Sequence, residues 1–382
     1  MSVLISREPV SYDVDESSFD AVVAGIHNQP AVFLISLTEG QPYLSKTNVL
    51  RRRLLRLLAP RTGLSRMLHL RTLARRIEYW PYASRLEANL IQYALAKQHF
   101  PETYPRILKL RTPSYVKLVL SNPFPRTMLT TRLSGSESIH YGPFVSRPAA
   151  EQFEAAFLDF FQLRRCQEDL IPSIDHPGCV YGEMNKCLRP CQMVVSEQEY
   201  ASEGERVGSF LRTDGESLIE SIRTARDRLS ADLEFEEAAR MHRRLEKAEA
   251  AAHLRGDLAT DISRLSGVAV VPSIVPESVG LWFFGGGSWR WGVDLSLAMV
   301  EGRPVPLDKR IKDTVASIPA QRRVALKDRQ EHLALLTAWF FSSWRDGEWV
   351  SCDSLEAIPY RKLVNAVHRI AKANGASIQL NL

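Results

Sequence analysis

The chain has 382 residues, a length typical of two or three domains. With 45% hydrophobic residues, 24% charged residues and a net charge of +5, its composition is that of a folded globular protein and argues against a disordered chain. The sequence has no apolar run of about 18 residues and its start turns polar and acidic quickly, so it predicts neither a membrane span nor a secretory signal and favours a cytoplasmic location.

The charge is unevenly distributed near the amino terminus. Nine arginines and no acid lie between Arg51 and Arg76, whereas the first thirty residues carry five acids against Arg7 alone. A basic block beside an acidic segment suggests a polyanionic partner. A solvated, arginine-rich helical face is the other interpretation, and the charge pattern leaves both open.

The first elements predict a short sheet packed with helices over 28–110, after a polar extension over 1–27. The apolar run 31–37, a turn at 39–42 and the strand 43–47 form a predicted hairpin. Helical spacing of leucines follows over 48–59, with Thr47 or Asn48 as the predicted cap. A second helix is predicted from Ser84 to Pro101.

The rest of the chain predicts three further regions and a multidomain α+β or α/β fold. In 111–200 we expect a strand at 115–121, a turn at 140–144 and a helix over 149–166. Residues 201–255 predict two antiparallel helices that break near the segment SADLEF. In 256–382, alternating strands precede two helices, which predicts a mixed α/β domain.

Four of the five cysteines lie within 26 positions, at Cys166, Cys179, Cys187 and Cys191. Four thiolates suit Zn²⁺ or an iron–sulfur cluster, and in a cytoplasmic protein metal binding is favoured over disulfides. A structural zinc site usually shows two close pairs. Only Cys187 and Cys191 form one here, which favours a [4Fe–4S] cluster, with zinc as the alternative and four unrelated cysteines as the third interpretation.

Read in order, these motifs resemble the N-terminal two-thirds of UvrC, the nuclease subunit of the bacterial excinuclease. The segment AVFLISLTEGQPYLSKTNVLRRR is similar to the family's GIY-YIG nuclease hairpin and helix, and HYGPF…FLDFFQLRRC resembles the stretch before its cysteines. The four cysteines follow the family's spacing, which implies an iron–sulfur cluster. The segment ADLEFEEAARMHRRLEKA resembles the UVR motif that pairs with UvrB. Residues 256–382 resemble the family only weakly, and we find no counterpart of its C-terminal endonuclease or helix-hairpin-helix module.

The resemblance assigns nuclease positions, and this sequence departs from several of them. Phe33 replaces the first catalytic tyrosine, whereas Tyr43, Lys46 and Arg53 match the second tyrosine, the lysine and the helix arginine. Phe33 is also what a packed core strand would contain. The resemblance therefore implies a degenerate GIY-YIG domain.

Two residues compete for the position of the family's metal-binding glutamate. The string LEANLI favours Glu87, whereas the flanking segments align without a gap only if Gln92 takes that position, which is our preferred assignment. The two lie about 140° apart around a helix, so one does not replace the other. A neutral amide binds Mg²⁺ or Mn²⁺ poorly, and such a metal is expected only if the nuclease is active.

Two further sets of residues are assigned to partners. Arg51, Arg52 and Arg56 flank Arg53 and would contact DNA phosphates without sequence preference. The UVR segment would present an apolar seam to a UvrB-like protein, although it is also consistent with a helical hairpin that packs on its own domain. The seam residues are Leu233, Phe235, Ala238, Ala239 and Met241.

The leading hypothesis is therefore a UvrC-like DNA-binding protein of nucleotide excision repair type whose nuclease site is inactive. An active single-incision endonuclease that uses Glu87 is the first alternative. A regulatory adaptor or redox sensor that competes for UvrB without contacting DNA is the second. DNA binding and a nicking assay separate the three.

Overall fold

The computed structural model describes residues 4–5, 7–59, 70–135, 138–299, 306–319 and 324–375. These residues have a mixed α/β fold with three four-stranded antiparallel sheets. They divide into two compact units. The first comprises Met1–Arg111, Ser266–Arg323 and Ala338–Leu382, and the second comprises Thr112–Leu265 and Val324–Thr337. No helix of the described residues is long and apolar enough to cross a membrane.

The amino-terminal part of the first unit is a sheet of strand order β1-β4-β2-β3 with helices on it. Its strands are β1 (Val10–Asp13), β2 (Ala31–Leu37), β3 (Tyr43–Thr47) and β4 (Ala74–Pro81). Its helices are α1 (Phe19–Gly25), α2 (Leu50–Leu57), α3 (Leu70–Leu73), α4 (Arg85–His99) and α5 (Tyr104–Leu108). The predicted hairpin and both predicted helices are present.

Two details of this part differ from the sequence prediction. Strand β1 pairs with β4, and Phe19 and Val23 of α1 are buried in the core under the sheet, so these residues belong to the fold instead of forming the polar extension predicted for 1–27. The sequence prediction missed these apolar residues because five acids lie around them in the first twenty positions. Helix α2 is preceded by Val49 and has no side-chain cap, whereas a cap at Thr47 or Asn48 was predicted.

The second unit contains a sheet of order β6-β5-β7-β8. Its strands are β5 (Ser114–Val119), β6 (Arg126–Thr130), β7 (Ser138–Phe144) and β8 (Thr260–Asp261). Its helices are α6 (Arg147–Leu158), α7 (Val180–Glu183), α8 (Glu197–Arg212), α9 (Glu216–Ala231) and α10 (Phe235–His253), with a 3-10 turn at Pro190–Gln192. One hydrophobic core contains residues from β5 to the end of α10.

Two predictions for this unit were wrong. The segment 140–144 is part of strand β7 because pairing with β5 and burial of Tyr141 outweigh the local turn signal of Gly-Pro. Helix α6 ends at Leu158 instead of continuing to Cys166. Beyond it, the backbone N–H of Gln162 donates to Glu203 and that of Arg164 donates to the Tyr200 hydroxyl, so side chains of α8 replace helical hydrogen bonds.

The carboxy-terminal part of the first unit is a sheet of order β11-β10-β9-β12. Its strands are β9 (Ser266–Pro272), β10 (Ser278–Gly285), β11 (Ser288–Ser296) and β12 (Glu348–Cys352). Helices α11 (Leu307–Ala316), α12 (Leu326–Phe340) and α13 (Tyr360–Ala373) complete the described chain. Strand β10 is buried throughout, and α11 and α13 contribute to the hydrophobic core on one face. The described residues of 256–382 contain both strands and helices, although Thr260–Asp261 and Val324–Thr337 belong to the second unit.

Candidate functional site

Tyr43 and Arg53 meet at the corner between β3 and α2. The hairpin register places Tyr43 opposite Ile35, and a guanidinium nitrogen of Arg53 donates a hydrogen bond to the Tyr43 hydroxyl at 3.3 Å. Because Leu50 and Leu54 anchor α2 in the core, Arg53 is held half-buried beside the strand. The structure thus brings together two of the nuclease positions inferred from the sequence.

Phe33 lies next to this pair but inside the core. Its ring is fully buried, and its centroid is 6.0 Å from that of Tyr43. The ring therefore contributes packing at a place where the family supplies a hydrogen-bonding group.

Lys46 makes a different connection, to helix α4. Its ammonium donates a hydrogen bond of 2.6 Å to the side-chain oxygen of Asn89. Successive residues of a strand point to opposite faces, so Lys46 and Tyr43, three positions apart, leave β3 on opposite sides. The candidate nuclease residues therefore form two separate pairs, Tyr43 with Arg53 and Lys46 with Asn89.

Glu87 is committed to an internal ion pair. It is 3% exposed, and its carboxylate lies 3.0 Å from a guanidinium nitrogen of Arg7. The same guanidinium makes two hydrogen bonds to Asp294, at 2.9 and 3.0 Å. Burial raises the pKa of Glu87 to about 7, although the charge of Arg7 opposes the shift. A buried carboxyl that is already paired with arginine is a poor ligand for a hydrated divalent cation.

Gln92 occupies another side of the same helix. It lies about 140° from Glu87 around α4 but only about 60° from Asn89, the partner of Lys46. Gln92 is half-buried, whereas Glu87 is not exposed to solvent. The side of α4 that meets the sheet lysine thus carries two amides. The assignment of either residue to a metal position remains a prediction.

The basic block divides into two groups. Arg71 and Arg76 pair with Asp20 and Asp13 of the acidic amino-terminal segment, at 2.7 and 3.9 Å. Three arginines of α2 are exposed and show no ion pair to any described acid: Arg51, Arg52 and Arg56. Arg61 and Arg66 lie outside the described residues. Among the described arginines of the block, most of those without an acidic partner are therefore on α2.

The four clustered cysteines converge from three segments of the second unit. Cys166 follows the irregular stretch after α6, Cys179 precedes α7, and Cys187 and Cys191 flank a left-handed residue at Arg189. Cys187 and Cys191 are buried, whereas Cys179 is exposed. Burial, together with smaller contributions from the other three thiols, raises the pKa of Cys187 to about 11, so the four groups share one electrostatic environment.

Hydrogen bonds to sulfur support this arrangement. The backbone N–H of Arg189 points at the sulfur of Cys187 at 3.4 Å, and the guanidinium of the buried Arg164 points at that of Cys166 at 3.5 Å. Donors aimed at sulfur favour thiolates, which are the form that binds soft metals. Within the described ranges, however, no three His, Cys, Asp or Glu side chains are arranged so as to hold a metal ion. Four thiols are suitable ligands for a soft metal, but in the described residues their sulfur atoms are not arranged around a common point.

The hairpin of α9 and α10 exposes its tip. Leu233, in a left-handed conformation between the helices, and Phe235 at the start of α10 are 71% and 63% exposed. Ala239 is exposed and Met241 is half-buried, whereas Ala238 is buried. Farther along α10, Leu245 belongs to the core of the second unit. The base of the hairpin is therefore internal, and its tip is an unshielded apolar surface.

Sequence reasoning missed Arg7, Asn89 and Trp344. Arg7 was counted only as an isolated charge, and Asn89 lay inside a string compared for its glutamate. Trp344 lies in a segment predicted to be helical, but it is 73% exposed beyond the end of α12. The feature that singles out Trp344 is its exposure, which is unusual for a tryptophan. The sequence does not show which side chains are exposed.

Comparison with known proteins places these features in a family context. Residues 114–210 match the family described as UvrC/Cho excinuclease, middle domain. The UvrABC system protein C of Oleidesulfovibrio alaskensis is 30% identical over 295 residues, which is 75% of this chain and 39% of that protein. Those of Acetivibrio thermocellus and Protochlamydia amoebophila are 25% and 30% identical, over 55% of this chain in each case and over 34% and 35% of their own lengths.

The resemblance inferred from the sequence is thus confirmed. The chain spans only about a third to two fifths of the length of these relatives. No solved structure matches it.

Proposed function

We propose that this chain, which carries a UvrC/Cho excinuclease middle domain and is homologous to UvrABC system protein C, is a DNA-binding protein of nucleotide excision repair that docks on a UvrB-like partner and does not cut DNA. The observation that carries the proposal is the match over 114–210, because that segment contains the four cysteines and continues into the exposed hairpin. The remaining support comes from charge and exposure at three places.

The proposal that the nuclease site is inactive is based on the ion pair between Glu87 and Arg7. Phosphodiester cleavage of this type needs a divalent cation that neutralises charge on the phosphate, and carboxylates hold such cations. Glu87 is the one carboxylate of α4, and it is buried against Arg7. Another side of the helix carries the amides Asn89 and Gln92. Phe33 offers no hydroxyl group to position water.

We expect the wild-type protein to show no metal-dependent nicking above background when supercoiled plasmid is incubated with Mg²⁺ or Mn²⁺. Gln92→Glu combined with Phe33→Tyr would supply the missing carboxylate and hydroxyl and should produce detectable nicking, provided that thermal unfolding shows the buried substitution to be tolerated. The active-enzyme alternative requires the opposite result. Incision by the wild type that disappears in Glu87→Gln would overturn the inactive assignment.

DNA binding is attributed to the exposed arginines of α2. Three side chains on one short helix, without described acidic partners, can contact successive phosphates and release counterions. Such contacts position a protein on DNA and carry no base information. The adaptor alternative, which makes no DNA contact, predicts that these residues are dispensable.

We predict that replacing Arg51, Arg52 and Arg56 with glutamine weakens duplex binding for any sequence. The slope of log affinity against log salt should flatten by about 0.9 for each lost phosphate contact, as measured by fluorescence anisotropy at several salt concentrations. A matched control replaces the exposed Lys309, Arg361 and Lys362, which removes the same charge from α11 and α13. Equal flattening in both variants would mean that α2 makes no specific contribution.

Partner docking is attributed to the tip of the hairpin. A contiguous apolar surface around Leu233 and Phe235 is costly to leave in water, and an aromatic side chain surrounded by charged residues is a typical interface anchor. The partner chemistry that fits it is a second helical hairpin with an apolar seam, which is what the UVR resemblance implies for a UvrB-like protein.

Phe235→Ala should weaken binding to a UvrB-type hairpin by roughly 2 kcal/mol, or about thirtyfold in Kd, by isothermal titration calorimetry. Because Phe235 is 63% exposed, the same change should leave the unfolding midpoint nearly unchanged. Ile174→Ala, which truncates another exposed apolar side chain outside the hairpin, serves as the control. Lower folding stability with unchanged partner affinity would assign Phe235 to internal packing.

The cysteines are proposed to hold a [4Fe–4S] cluster, with zinc as the alternative metal. Cys166, Cys179, Cys187 and Cys191 would supply four thiolates, and the N–H of Arg189 would donate to one of the bound sulfurs. A bound cluster would cross-link three segments that lack regular structure. This is a contribution to folding, because a metal site stabilises the chain that forms it.

Anaerobically purified protein should contain about four irons per chain and be brown. Cys187→Ser and Cys191→Ser should lose the metal and lower the unfolding temperature, whereas Cys352→Ser, which changes the remaining cysteine, should retain both. Metal analysis and thermal unfolding are the two measurements. One zinc per chain without iron would establish the alternative, and no bound metal would refute both.

A further inference from the structure

A cleft of about 440 Å³ lies within the first unit, between β3, α4 and the segment that follows α12. Its walls come from two distant parts of the sequence, residues 46–89 and residues 338–344. Its volume falls in the range of small-molecule and nucleotide sites. The side chains that matter for its chemistry are Lys46, Asn48, Tyr82, Arg85, Asn89 and Trp344.

The cleft is cationic. Lys46 and Arg85 both line it, and no carboxylate is among the described residues of its wall. Asp346 is not among the lining residues, but it lies beside the cleft, where it accepts hydrogen bonds from the backbone N–H of Arg85 and from the indole of Trp339. Burial and the charge of Arg85 both lower the pKa of Lys46, as expected for two cations that lack a shared counterion. An anionic group placed between them would relieve this repulsion.

The cleft also has an aromatic rim. Trp344 is 73% exposed, and the guanidinium of Arg85 lies 6.0 Å from the centroid of its ring. The backbone N–H of Trp344 donates to the Ser342 hydroxyl at 3.2 Å, which fixes the turn that carries the ring. Tyr82 and Asn48 are joined by a 3.0 Å hydrogen bond on the opposite wall. A tryptophan held open to water beside two cations is suited to stack on a flat ligand.

We propose that this cleft binds one unpaired nucleotide of a DNA strand, with its phosphate between Lys46 and Arg85 and its base against Trp344. The proposal deepens the function proposed above and depends on its DNA-binding part. Cationic side chains alternating with aromatic rings are the common chemistry of single-strand sites, because every base offers a face for stacking. A base in a duplex is already stacked on both faces, so a duplex would use the cations of the cleft but not Trp344.

The amides of Asn48 and Asn89 complete the chemistry. Each has a side-chain oxygen occupied by an internal donor, the hydroxyl of Tyr82 and the ammonium of Lys46 respectively. Their amide N–H groups are therefore oriented away from these contacts, where they can donate to acceptors on a base or a sugar. The cleft thus offers hydrogen-bond donors and cations, which match the acceptors and the negative charge of a nucleotide.

The test compares labelled single-stranded oligo(dT) with a duplex of equal length by fluorescence anisotropy. Trp344→Ala should weaken single-strand binding about tenfold or more, equivalent to ~1.4 kcal/mol and typical of a stacked base, and should leave duplex binding within about twofold. Trp344→Phe keeps an aromatic face and should retain most of the affinity. Val145→Ala, which truncates an exposed apolar side chain outside the cleft, should change neither affinity.

The phosphate contact has its own readout. Arg85→Gln should reduce the salt slope for the single strand by about 0.7, the value for one lost phosphate contact on an unpaired strand. Free thymidine monophosphate distinguishes a site for a strand from a site for a free nucleotide. We expect it to compete only at concentrations far above the Kd of the oligonucleotide, and equally tight binding would contradict the assignment to a strand.

The outcomes separate this inference from the function on which it rests. Duplex binding that depends on the α2 arginines, together with single-strand binding that ignores Trp344, would overturn the cleft and leave the proposed function intact. A wild-type protein that binds neither form of DNA would overturn both. Because Trp344 is exposed, circular dichroism should show an unchanged fold in all these variants.

Discussion

The guanidinium of Arg7 holds two carboxylates at once, and much of the first unit depends on it. It pairs with Glu87 on α4 and makes two hydrogen bonds to Asp294 on β11, while the hydroxyl of Ser273 donates to the same aspartate. Removing Arg7 would leave the buried carboxylate of Glu87 without its partner, which is destabilising. The network thus fixes helix α4 against the carboxy-terminal sheet within one compact unit.

Fixing α4 also determines what each of its faces can do. Glu87 points toward Arg7, so the carboxylate that a sequence comparison offers as a metal ligand is used for structure. The side of the helix that meets Lys46 carries Asn89, a neutral amide, which binds a hard cation less strongly than a carboxylate does. Asp346, which accepts from the first turn of α4, brings Trp344 beside Arg85.

The second unit is organised around a single hydrophobic core. Its core extends from the sheet strands to the base of the helical hairpin, where Leu245 and Ala248 are buried. The tip of the same hairpin, at Leu233 and Phe235, stays exposed because it extends beyond that core. The cysteine loops have little regular structure, and their sulfurs receive hydrogen bonds from Arg164 and Arg189. The base of the hairpin is thus packed in the core, whereas its apolar tip is exposed.

The sequence by itself determined the elements whose signals are local. The hairpin 31–47, the leucine face of α2, the cap of α4 at Ser84 and the break before Phe235 all follow from spacing of apolar residues and turn chemistry within a few positions. The cysteine spacing and the segment that resembles the UVR motif predicted the similarity to UvrABC system protein C for the same reason. Tertiary structure decided everything that depends on distant partners. Strand β7 replaced a predicted turn because β5 pairs with it, and the amino-terminal acids met arginines about fifty positions away. The fate of Glu87 and the cleft beside Trp344 were decided in the same way, because a local pattern specifies which face of a helix a side chain occupies but not what the fold places opposite that face.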